Sequence, residues 1–570
     1  MVKQKKILLV NPSCLDARAS GEDAGIVPLG LYYIGAVLIE NGYHTKIVNL
    51  ADNKKDPIAR FQKIIKDEHP DIIGFSANNP NRWNAIDCAK AARKIMPHVT
   101  IVFGGPAPTF LCEHLFIVCP DIDFIVMGEG EITFLELVNQ LENKNHTAFE
   151  QISGLAFKKG NIVFQTSPRP ALKNLDLLVH PSKYFVYQHL SMSRGCPGKC
   201  TFCGSPRFWD NSIVRFHSAK WFADEVQTLV KKGVTHFYIS DDTFTMDKNR
   251  VIEFCNHLIK NKLRITWNAI SRTDFIDEDI LLAMRKAGCI QLSFGVESGS
   301  KKIRKLLGKP IIQEKIIRAF SLTLSYGILA RAYFIYGSPK ETDQTIKESI
   351  DLLNIIKPLS AIFYLLVIFP GTYLYQSAVN KGLVTDDIWH QKIEDLPFFE
   401  IQENLDFAKV KAFGDKLRTE FYNNLDTFAN DINLMDIKEL YPFHADFLSR
   451  LAMTFSHGEY ALDTRVKNQE ATSKMLNERA LSYAPEQRAF LGLAMLFQKQ
   501  RLFDDAISLL EKGLAHWPKN KSLNICMGVC LMNKNRFKKA LHFFKKFKDF
   551  SETHPYINIC QKKISGQKHD

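Results

Sequence analysis

Residues 194–203 read RGCPGKCTFC and place cysteines at positions 196, 200 and 203. The two glycines and the proline keep this stretch out of a regular helix, so the three sulfurs can converge. Three thiolates at CxxxCxxC spacing can hold a four-iron cluster and leave one iron without a protein ligand. That open iron can chelate a substrate-like molecule, and an electron passed through it can break a carbon–sulfur bond. Cys196, Cys200 and Cys203 are therefore predicted to hold a [4Fe–4S] cluster.

Zinc binding and inert thiols are the alternatives for this triplet. Structural zinc sites use four ligands, often in two pairs or with histidines. The nearest downstream histidine is His217, 14 residues beyond Cys203. The other nine cysteines are isolated or, for Cys526 and Cys530, stand at helical spacing, which is typical of buried core thiols. The cluster is the preferred interpretation.

A series of alternating strand and helix signals begins at the triplet and continues to about residue 380. Amphipathic segments such as SAKWFADEVQTLVKKG separate the β-rich runs. Six such repeats predict an open, partial (β/α)6 barrel, whose chemistry lies on loops at the carboxyl ends of the strands. The cysteines directly follow the first run. The runs are residues 190–194, 236–240, 265–271, 291–297, 331–337 and 361–367.

Residues 1–145 carry a separate alternating pattern, which predicts a doubly wound parallel sheet. Ligands of such sheets bind beyond the carboxyl ends of the strands. At these ends the sequence has Ser76, the pair Gly104-Gly105 and the stretch GEGE at 128–131. Small residues there either let a large flat ligand approach the backbone or simply form tight turns. The β-rich runs are residues 6–11, 44–50, 71–77, 99–105 and 123–130.

The remaining segments complete the predicted domain organisation. Residues 146–187 are expected to form a linker, 188–380 the barrel, 381–470 a mainly helical accessory region and 471–560 helical repeats. A period of 34 residues with a small/large pattern is typical of tetratricopeptide (TPR) helix pairs. Two or three such units bury little surface alone, so they should pack on the barrel or on a partner. The repeat aligns two sets of residues that are 34 positions apart. The first set is Ala494, Phe497, Ala506, Leu510, Gly513 and Pro518, and the second, in the same order, is Gly528, Leu531, Ala540, Phe544, Phe547 and Glu552.

The triplet and the strand ends after it resemble the radical S-adenosylmethionine (SAM) superfamily over residues 188–380. The resemblance implies that the three cysteines bind a [4Fe–4S] cluster whose open iron takes SAM. It also implies that reduction by an external electron donor releases a 5′-deoxyadenosyl radical. Matching residues imply the SAM contacts: Phe202 near the adenine, Asp242 at the methionyl amine, Arg272 at the methionyl carboxylate and Glu297 at the ribose hydroxyls.

The pairing of a doubly wound N-terminal domain with this barrel resembles the cobalamin-binding branch of the superfamily, over nearly all of residues 1–380. It implies cobalamin bound near Ser76, Gly104 and Gly105. Branch members that ligate cobalt from below use a DxHxxG loop, whereas residues 16–21 read DARASG and place Arg18 at the histidine position. Arginine stays protonated and cannot ligate cobalt. Cobalamin is therefore expected without a lower histidine ligand.

The resemblance implies a cobalamin-dependent methyltransferase acting on unactivated carbon, with radical cyclisation or rearrangement without methyl transfer as the alternative. A methylthiotransferase would need a second cluster, and the cobalamin-domain pattern around the four N-terminal cysteines disfavours that interpretation. A TPR scaffold with vestigial catalysis is disfavoured by the complete triplet. The four cysteines are Cys14, Cys88, Cys112 and Cys119.

Bulk properties agree with these expectations. The 570 residues are 46% hydrophobic and 24% charged, which is typical of folded proteins. The net charge of +13 permits a phosphate-bearing partner without pointing to nucleic acid. The first apolar run is too short for a signal peptide, and the longest, 361–369, is about half a membrane span. The protein is expected in the cytoplasm, with a TPR-like tail that braces the barrel or recruits a carrier or partner protein.

Overall fold

The computed structural model describes residues 5–15, 26–52, 56–142, 146–209, 214–402 and 405–566. Two regions of mixed strands and helices are followed by a region built of helices. The mixed α/β class and the helical C-terminal region predicted from the sequence are confirmed.

The first region holds a sheet of seven strands within the described residues. Its strands are β1 Lys6–Asn11, β2 His44–Asn49, β3 Ile72–Ser76, β4 Thr100–Gly104, β5 Phe124–Val126, β6 Leu155–Lys159 and β7 Ile162–Gln165. Its helices are α1 Leu29–Glu40, α2 Pro57–Glu68, α3 Arg82–Ile95, α4 Pro106–Phe110, α5 Cys112–Val118 and α6 Gly130–Glu142.

The strand order is β2-β1-β3-β4-β5-β6-β7, and β1 to β5 are parallel. Along β1, Leu8 and Val10 enter one apolar core and Ile7 and Leu9 the other, because alternate side chains point to opposite faces of a strand. Helix α1 packs beside α6, and α2 beside α3. This is the doubly wound sheet predicted from the sequence, and ligands of such sheets bind at the carboxyl ends of the strands.

The segment 146–187, expected as a linker, carries β6 and β7. Both strands run antiparallel and extend the first sheet beyond β5, with Ile125 opposite Ala156. The turn at Gly160, with φ of 60°, joins them as a hairpin. Leu155 and Ala156 are fully buried, so burial of this hairpin's apolar face explains why it joins the sheet.

The second region holds the six-stranded sheet. Its strands and neighbouring short strands are β8 His189–Leu190, β9 Ser193–Arg194, β10 Arg215–Phe216, β11 His236–Ile239, β12 Thr266–Ser271, β13 Cys289–Glu297, β14 Leu329–Tyr336, β15 Ser360–Leu365, β16 Val367–Ile368 and β17 Leu396–Pro397. Its helices are α7 Ser205–Phe208, α8 Ala219–Lys231, α9 Lys248–Lys260, α10 Glu278–Lys286, α11 Lys301–Leu306, α12 Gln313–Ser325, α13 Asp343–Ile356 and α14 Tyr373–Asn380.

The order β15-β14-β13-β12-β11-β8 with parallel pairing is that of an open, partial barrel. The expected first strand, 190–194, differs, because it is split. β8 pairs with β11, whereas β9 turns away and pairs antiparallel to β10. The carboxylate of Asp241 accepts a hydrogen bond from the Met192 backbone nitrogen at 2.9 Å, which supplies the partner that a continuing strand would have had.

The C-terminal region consists of helices, two pairs of which repeat with the predicted period. Helices α19 and α20 begin at Gln487 and Phe503, and α21 and α22 begin 34 residues later, at Lys521 and Phe537. The helices are α15 Phe407–Asn430, α16 Tyr441–Ser456, α17 Glu459–Leu462, α18 Gln469–Tyr483, α19 Gln487–Lys499, α20 Phe503–His516, α21 Lys521–Asn533, α22 Phe537–Lys545 and α23 His554–Gly566.

The C-terminal helices pack directly on the barrel. Phe421 of α15 and Phe447 of α16 belong to the same apolar core as Phe334 of the barrel. A charged contact joins the regions as well: Asp446 of α16 pairs with Arg285 of α10 at 3.0 Å and with Arg488 of α19. The tail therefore continues the barrel's core through α15 and α16.

Three guanidinium groups surround Asp446. Burial alone would raise the pKa of this carboxyl, but Arg285, Arg450 and Arg488 outweigh it and hold the pKa below its usual value. The stabilisation from these pairs is present above the unfolded-state pKa of Asp446 and is lost as the pH falls through the lower folded-state pKa.

Within the described ranges, no helix is both long and apolar enough to cross a membrane.

Replacing Asp446 with Ala is predicted to loosen the C-terminal helices. Arg285, only 1% exposed, would lose its carboxylate partner. Breaking a buried pair in this way lowers the free energy of unfolding by about 3 kcal/mol. Hydrogen–deuterium exchange measures the effect, and amides of α16 and α19 should exchange on the order of 100-fold faster.

Asp431→Ala is the matched control, since it removes the exposed Lys357–Asp431 pair at the end of α15. Exposed ion pairs contribute about 1 kcal/mol or less to stability, so the protection of these amides from exchange should change little. Equal protection in the two variants would contradict the prediction.

Candidate active site

Two of the predicted cluster cysteines face one glycine. The Gly198 backbone nitrogen donates to the Cys196 Sγ at 3.4 Å, and the Thr243 hydroxyl lies 3.4 Å from the same sulfur. A Cβ added at Gly198 would lie 3.3 Å from the Cys196 Sγ and 3.6 Å from the Cys200 Sγ. A side chain at position 198 would therefore crowd the Cys196 sulfur.

Burial sets the protonation of these thiols. It raises the pKa of Cys203 to about 12 and also raises the pKa of Cys200. Such thiols become thiolates only beside strong positive charge, and a bound metal centre supplies that charge. Within the described residues, no three His, Cys, Asp or Glu side chains converge on one ion position. A four-iron cluster does not need such convergence, because each cysteine binds a different iron.

Backbone hydrogen bonds on two sides hold the cysteine loop. The Thr201 nitrogen donates to the Leu307 carbonyl at 2.9 Å, and the Leu374 nitrogen donates to the Thr201 carbonyl at 2.7 Å. Phe202, the predicted adenine contact, is half-buried and packs against the core that contains Ile303. The loop is thus anchored to α11 and α14.

Two aspartates follow β11 and have different surroundings. Asp241 is 1% exposed, accepts hydrogen bonds from the Met192 nitrogen and the Ser193 hydroxyl, and has a pKa raised by burial to about 7. Asp242, the predicted SAM contact, accepts from the Ser205 hydroxyl, and burial raises its pKa. Asp241 thus holds the backbone that leads into the cysteine loop, and Asp242 lines a cavity.

Arg272 and Glu297, the other two predicted SAM contacts, each have a charged partner. Arg272 donates to both oxygens of Asp274, at 3.0 and 2.7 Å, and its Nη1 would be 3.2 Å from a Cβ at Gly198. Glu297 has φ of 64°, and its Oε1 lies 2.8 Å from the Nζ of Lys309, with both side chains under one-tenth exposed. Burial raises the pKa of the Cys200 thiol, and the charges of Lys309 and Arg272 oppose that rise.

One cavity of about 360 Å³ lies between the two sheets at their ligand edges. Ser76, Gly104 and Gly105 line it from the first sheet, and Arg194, Ser240 and Asp242 line it from the barrel. The first sheet and the barrel therefore share one binding space.

The first-sheet wall of the cavity depends on glycine. Gly105 has φ of 107°, and a Cβ there would lie 2.8 Å from the Ala77 carbonyl oxygen. Gly74, in the middle of β3, also lines the cavity, and a Cβ there would lie 3.0 Å from the Leu9 side chain. This bare backbone suits a large flat ligand, as expected for cobalamin. The DARASG loop with Arg18 lies outside the described residues.

A buried network of four charges lies at the cavity between the regions. Arg194 Nη2 lies 2.6 Å from Glu131 and Nη1 lies 3.5 Å from Glu129, which also pairs with Arg215. Each of these side chains is no more than 14% exposed. Burial would lower the pKa of Arg194, but the two carboxylates outweigh it and raise the pKa. Because Arg194 directly precedes the cysteine loop, the network ties that loop to the first sheet.

Lys309 and these four charges are not evident as site residues from the sequence alone. In the sequence, Glu129 and Glu131 stand among small residues at a strand end, and two carboxylates in such a turn could have indicated a charged site. Lys309, between Gly308 and Pro310, could have indicated a lysine held in a fixed turn. Their partners lie on distant segments, so the pairing itself could not be predicted.

Family profiles match both regions. Residues 190–353 match the profile of the Radical SAM superfamily, and residues 24–138 match that of the B12 binding domain.

Curated relatives extend the match. An uncharacterized methyltransferase of Pyrococcus horikoshii is 33% identical over 403 residues, which cover 68% of this chain and 86% of the relative. An anaerobic magnesium-protoporphyrin IX monomethyl ester cyclase of Rubrivivax gelatinosus is 30% identical over 63% of this chain and 67% of its own length.

Among solved structures, the cobalamin-dependent SAM radical enzyme OxsB, with aqua-cobalamin and SAM bound, matches with a TM-score of 0.59 and 17% identity. The match covers 99% of this chain and 84% of that one. It shows a shared fold. Taken with the profiles and the relatives, these matches establish that the chain belongs to the radical SAM superfamily, in the branch whose members carry a B12-binding domain.

Proposed function

We propose that this protein is a cobalamin-dependent radical SAM methyltransferase that methylates an unactivated carbon. The observation that carries the proposal is the shared cavity, which the ligand edge of the B12-binding region and the mouth of the barrel line together. When bound, the cluster and SAM supply a 5′-deoxyadenosyl radical, and cobalamin carries the methyl group. The methyltransferase relative at 33% identity supports this assignment.

In this proposal Cys196, Cys200 and Cys203 hold the cluster. Arg272 and Lys309, beside Cys200, offset the negative charge of the bound thiolates. Arg194, clamped by Glu131, fixes where the cysteine loop begins. The protein's contribution is to orient the two cofactors on either side of one substrate and to exclude water.

The SAM side of the site uses the residues at the strand ends. Phe202 would pack near the adenine, Asp242 would accept from the methionyl amine, Arg272 would bind the methionyl carboxylate and Glu297 would bind the ribose hydroxyls. Arg272 and Glu297 are already held by Asp274 and Lys309, so their orientation is set before SAM arrives. Preorganised partners of this kind reduce the ordering cost of binding.

On the other side, Ser76, Gly104 and Gly105 would hold cobalamin, and the DARASG loop offers it no histidine. Gly104 and Gly105 present backbone rather than side chain to the cavity, which leaves the carboxyl end of β4 accessible to a large ligand.

A radical cyclase that works without methyl transfer is the second candidate. The cyclase relative at 30% identity favours it. The two functions differ in products, because methyl transfer from SAM releases S-adenosylhomocysteine and cyclisation does not.

The organisation around this core is part of the same proposal. Residues 1–145 form the cobalamin domain, 188–380 the radical SAM core, 381–470 an accessory region and 471–560 TPR-like repeats that brace the barrel or bind a carrier protein. The enzyme works in the cytoplasm, where a reducing environment keeps its thiols available for iron.

Anaerobic reconstitution with iron, sulfide, hydroxocobalamin and SAM tests the function. We expect one [4Fe–4S] cluster per chain, a cob(II)alamin absorption spectrum after reduction, and release of both 5′-deoxyadenosine and S-adenosylhomocysteine. Cys200→Ala should lose the cluster and reduce 5′-deoxyadenosine to background while still binding cobalamin. Cys560→Ala, a buried cysteine of α23, is the matched control and should behave as the wild type.

A wild-type protein without a cluster would overturn the whole proposal. A cluster and 5′-deoxyadenosine without cobalamin uptake or S-adenosylhomocysteine would overturn only methyl transfer and favour the cyclase.

Gly104→Val is predicted to weaken cobalamin binding without changing the iron–sulfur cluster. A Cβ at residue 104 meets only the Val126 carbonyl oxygen and Cβ, at the ordinary contact distances of 3.6 and 3.8 Å, and the rest of the valine side chain is expected to narrow the cavity. The Kd for hydroxocobalamin should rise at least about tenfold, a loss of roughly 1.4 kcal/mol. Iron content and 5′-deoxyadenosine release should stay within about twofold, because the cysteine loop is untouched.

Thr100→Val, at the opposite end of β4, is the control and should change neither quantity. If Gly104→Val bound cobalamin as tightly as the wild type, this wall of the cavity would not belong to the cobalamin site.

A further inference from the structure

Four lysines lie at the outer side of the cysteine loop. Lys199 belongs to the loop, and Lys301, Lys302 and Lys305 belong to α11. All four are exposed, and none forms an ion pair with a carboxylate among the residues that the structure describes. We call these four residues, with Leu306 at their edge, the lysine patch. Leu306 is 37% exposed and adds an apolar contact surface.

The end of the helix that carries the patch lies against the backbone of the cysteine loop. A Cβ placed at Gly308, two residues after Leu306, would lie 2.4 Å from the Lys199 carbonyl oxygen and 3.3 Å from the Cys200 Cα. The Thr201 nitrogen donates to the Leu307 carbonyl at 2.9 Å. The end of α11 therefore packs on the backbone of a predicted cluster ligand.

The opposite face of α11 is fixed in the protein. Ile303 is fully buried in an apolar core, and Arg304, 2% exposed, donates to the Ser298 and Gly299 carbonyls. The helix thus cannot turn its lysines elsewhere. A rigid, unpaired positive surface lies over the backbone of the cysteine loop.

We infer that the lysine patch is the docking surface for a small acidic electron-carrier protein that reduces the cluster. The inference rests on the proposed function, because radical chemistry needs an external reductant. The step is a one-electron transfer: the reduced carrier loses one electron and the cluster gains it, with no bond formed or broken in either protein. Among anionic partners, an electron carrier is favoured because the patch lies directly outside the cluster loop.

Charge complementarity explains how such a carrier would be selected. Unpaired lysines attract an acidic surface over distances near the Debye length, about 8 Å at physiological salt. They raise the association rate more than the final affinity, and salt weakens the effect. Burial of Leu306 would then contribute a short-range apolar contact.

The test uses the triple variant Lys301→Glu, Lys302→Glu, Lys305→Glu in the full-length, reconstituted enzyme. Glutamates at positions 301 and 302 suit the helix dipole, and the unfavourable effect of a glutamate at position 305, in the last turn, is only about 1 kcal/mol or less, so the fold should be kept. Lys199 is left unchanged because it stands between two cluster cysteines. The matched control, Lys538→Glu, Lys539→Glu, Lys545→Glu on exposed positions of α22, makes the same change in net charge.

Two reductants are compared, with 5′-deoxyadenosine release as the readout. With reduced flavodoxin, an acidic flavoprotein, and its reductase, the α11 variant should be roughly tenfold slower than wild type at low salt, and the difference should shrink at high salt. With titanium(III) citrate at high salt, both variants should match the wild type within about twofold, because this small anion needs no docking surface and its charge is screened. Stopped-flow reduction of the cluster, followed by its visible absorbance, should show the same pattern without turnover.

An unchanged flavodoxin-dependent rate in the α11 variant would overturn the inference. An equal loss in the α22 control would also overturn it, since net charge alone would then be responsible. An equal loss with titanium(III) citrate would overturn it too, because the substitutions would then act on the cluster site and not on carrier docking. If the wild type released no 5′-deoxyadenosine with either reductant, the proposed function itself would fail.

Discussion

Four buried charges, Glu129, Glu131, Arg194 and Arg215, join the first sheet to the barrel at the cavity that both line. Removing a guanidinium from water is unfavourable by several kcal/mol unless carboxylates replace the lost hydration. Neither region can bury its half of the network alone. Since Glu131 lies in the first turn of α6 and Arg194 directly precedes the cysteines, the network fixes the distance between the two ligand edges.

Charge around the cysteine loop is arranged differently inside and outside. Inside, each cation has a carboxylate beside it: Arg272 pairs with Asp274, and Lys309 pairs with Glu297. These pairs hold their side chains in one orientation toward the space beside Cys200. Outside, the lysine patch has no acidic partner among the described residues. Paired charges suit the positioning of a cofactor, whereas unpaired exposed charges act at long range.

The C-terminal helices are part of the enzyme's body as well as a set of repeats. Arg285 is almost fully buried and uses Asp446 and the Phe443 carbonyl as partners, so the barrel cannot bury this residue without α16. Helix α19 joins the same carboxylate through Arg488. Helices α19 to α23 share a second apolar core, which contains Leu510, Met527 and Phe544.

Local patterns in the sequence determined the two strand–helix series, the cysteine triplet and the 34-residue helix repeat, because periodicity and spacing act over a few neighbouring residues. They did not reveal that β6 and β7 extend the first sheet or that the strand at 190–194 splits, since both depend on edges made by other segments. The charge pairs were also decided only by the tertiary structure. Glu131 and Arg194 are 63 residues apart, and Arg285 and Asp446 are 161 apart. A buried charge takes the partner that packing brings within reach, and no local pattern encodes that choice.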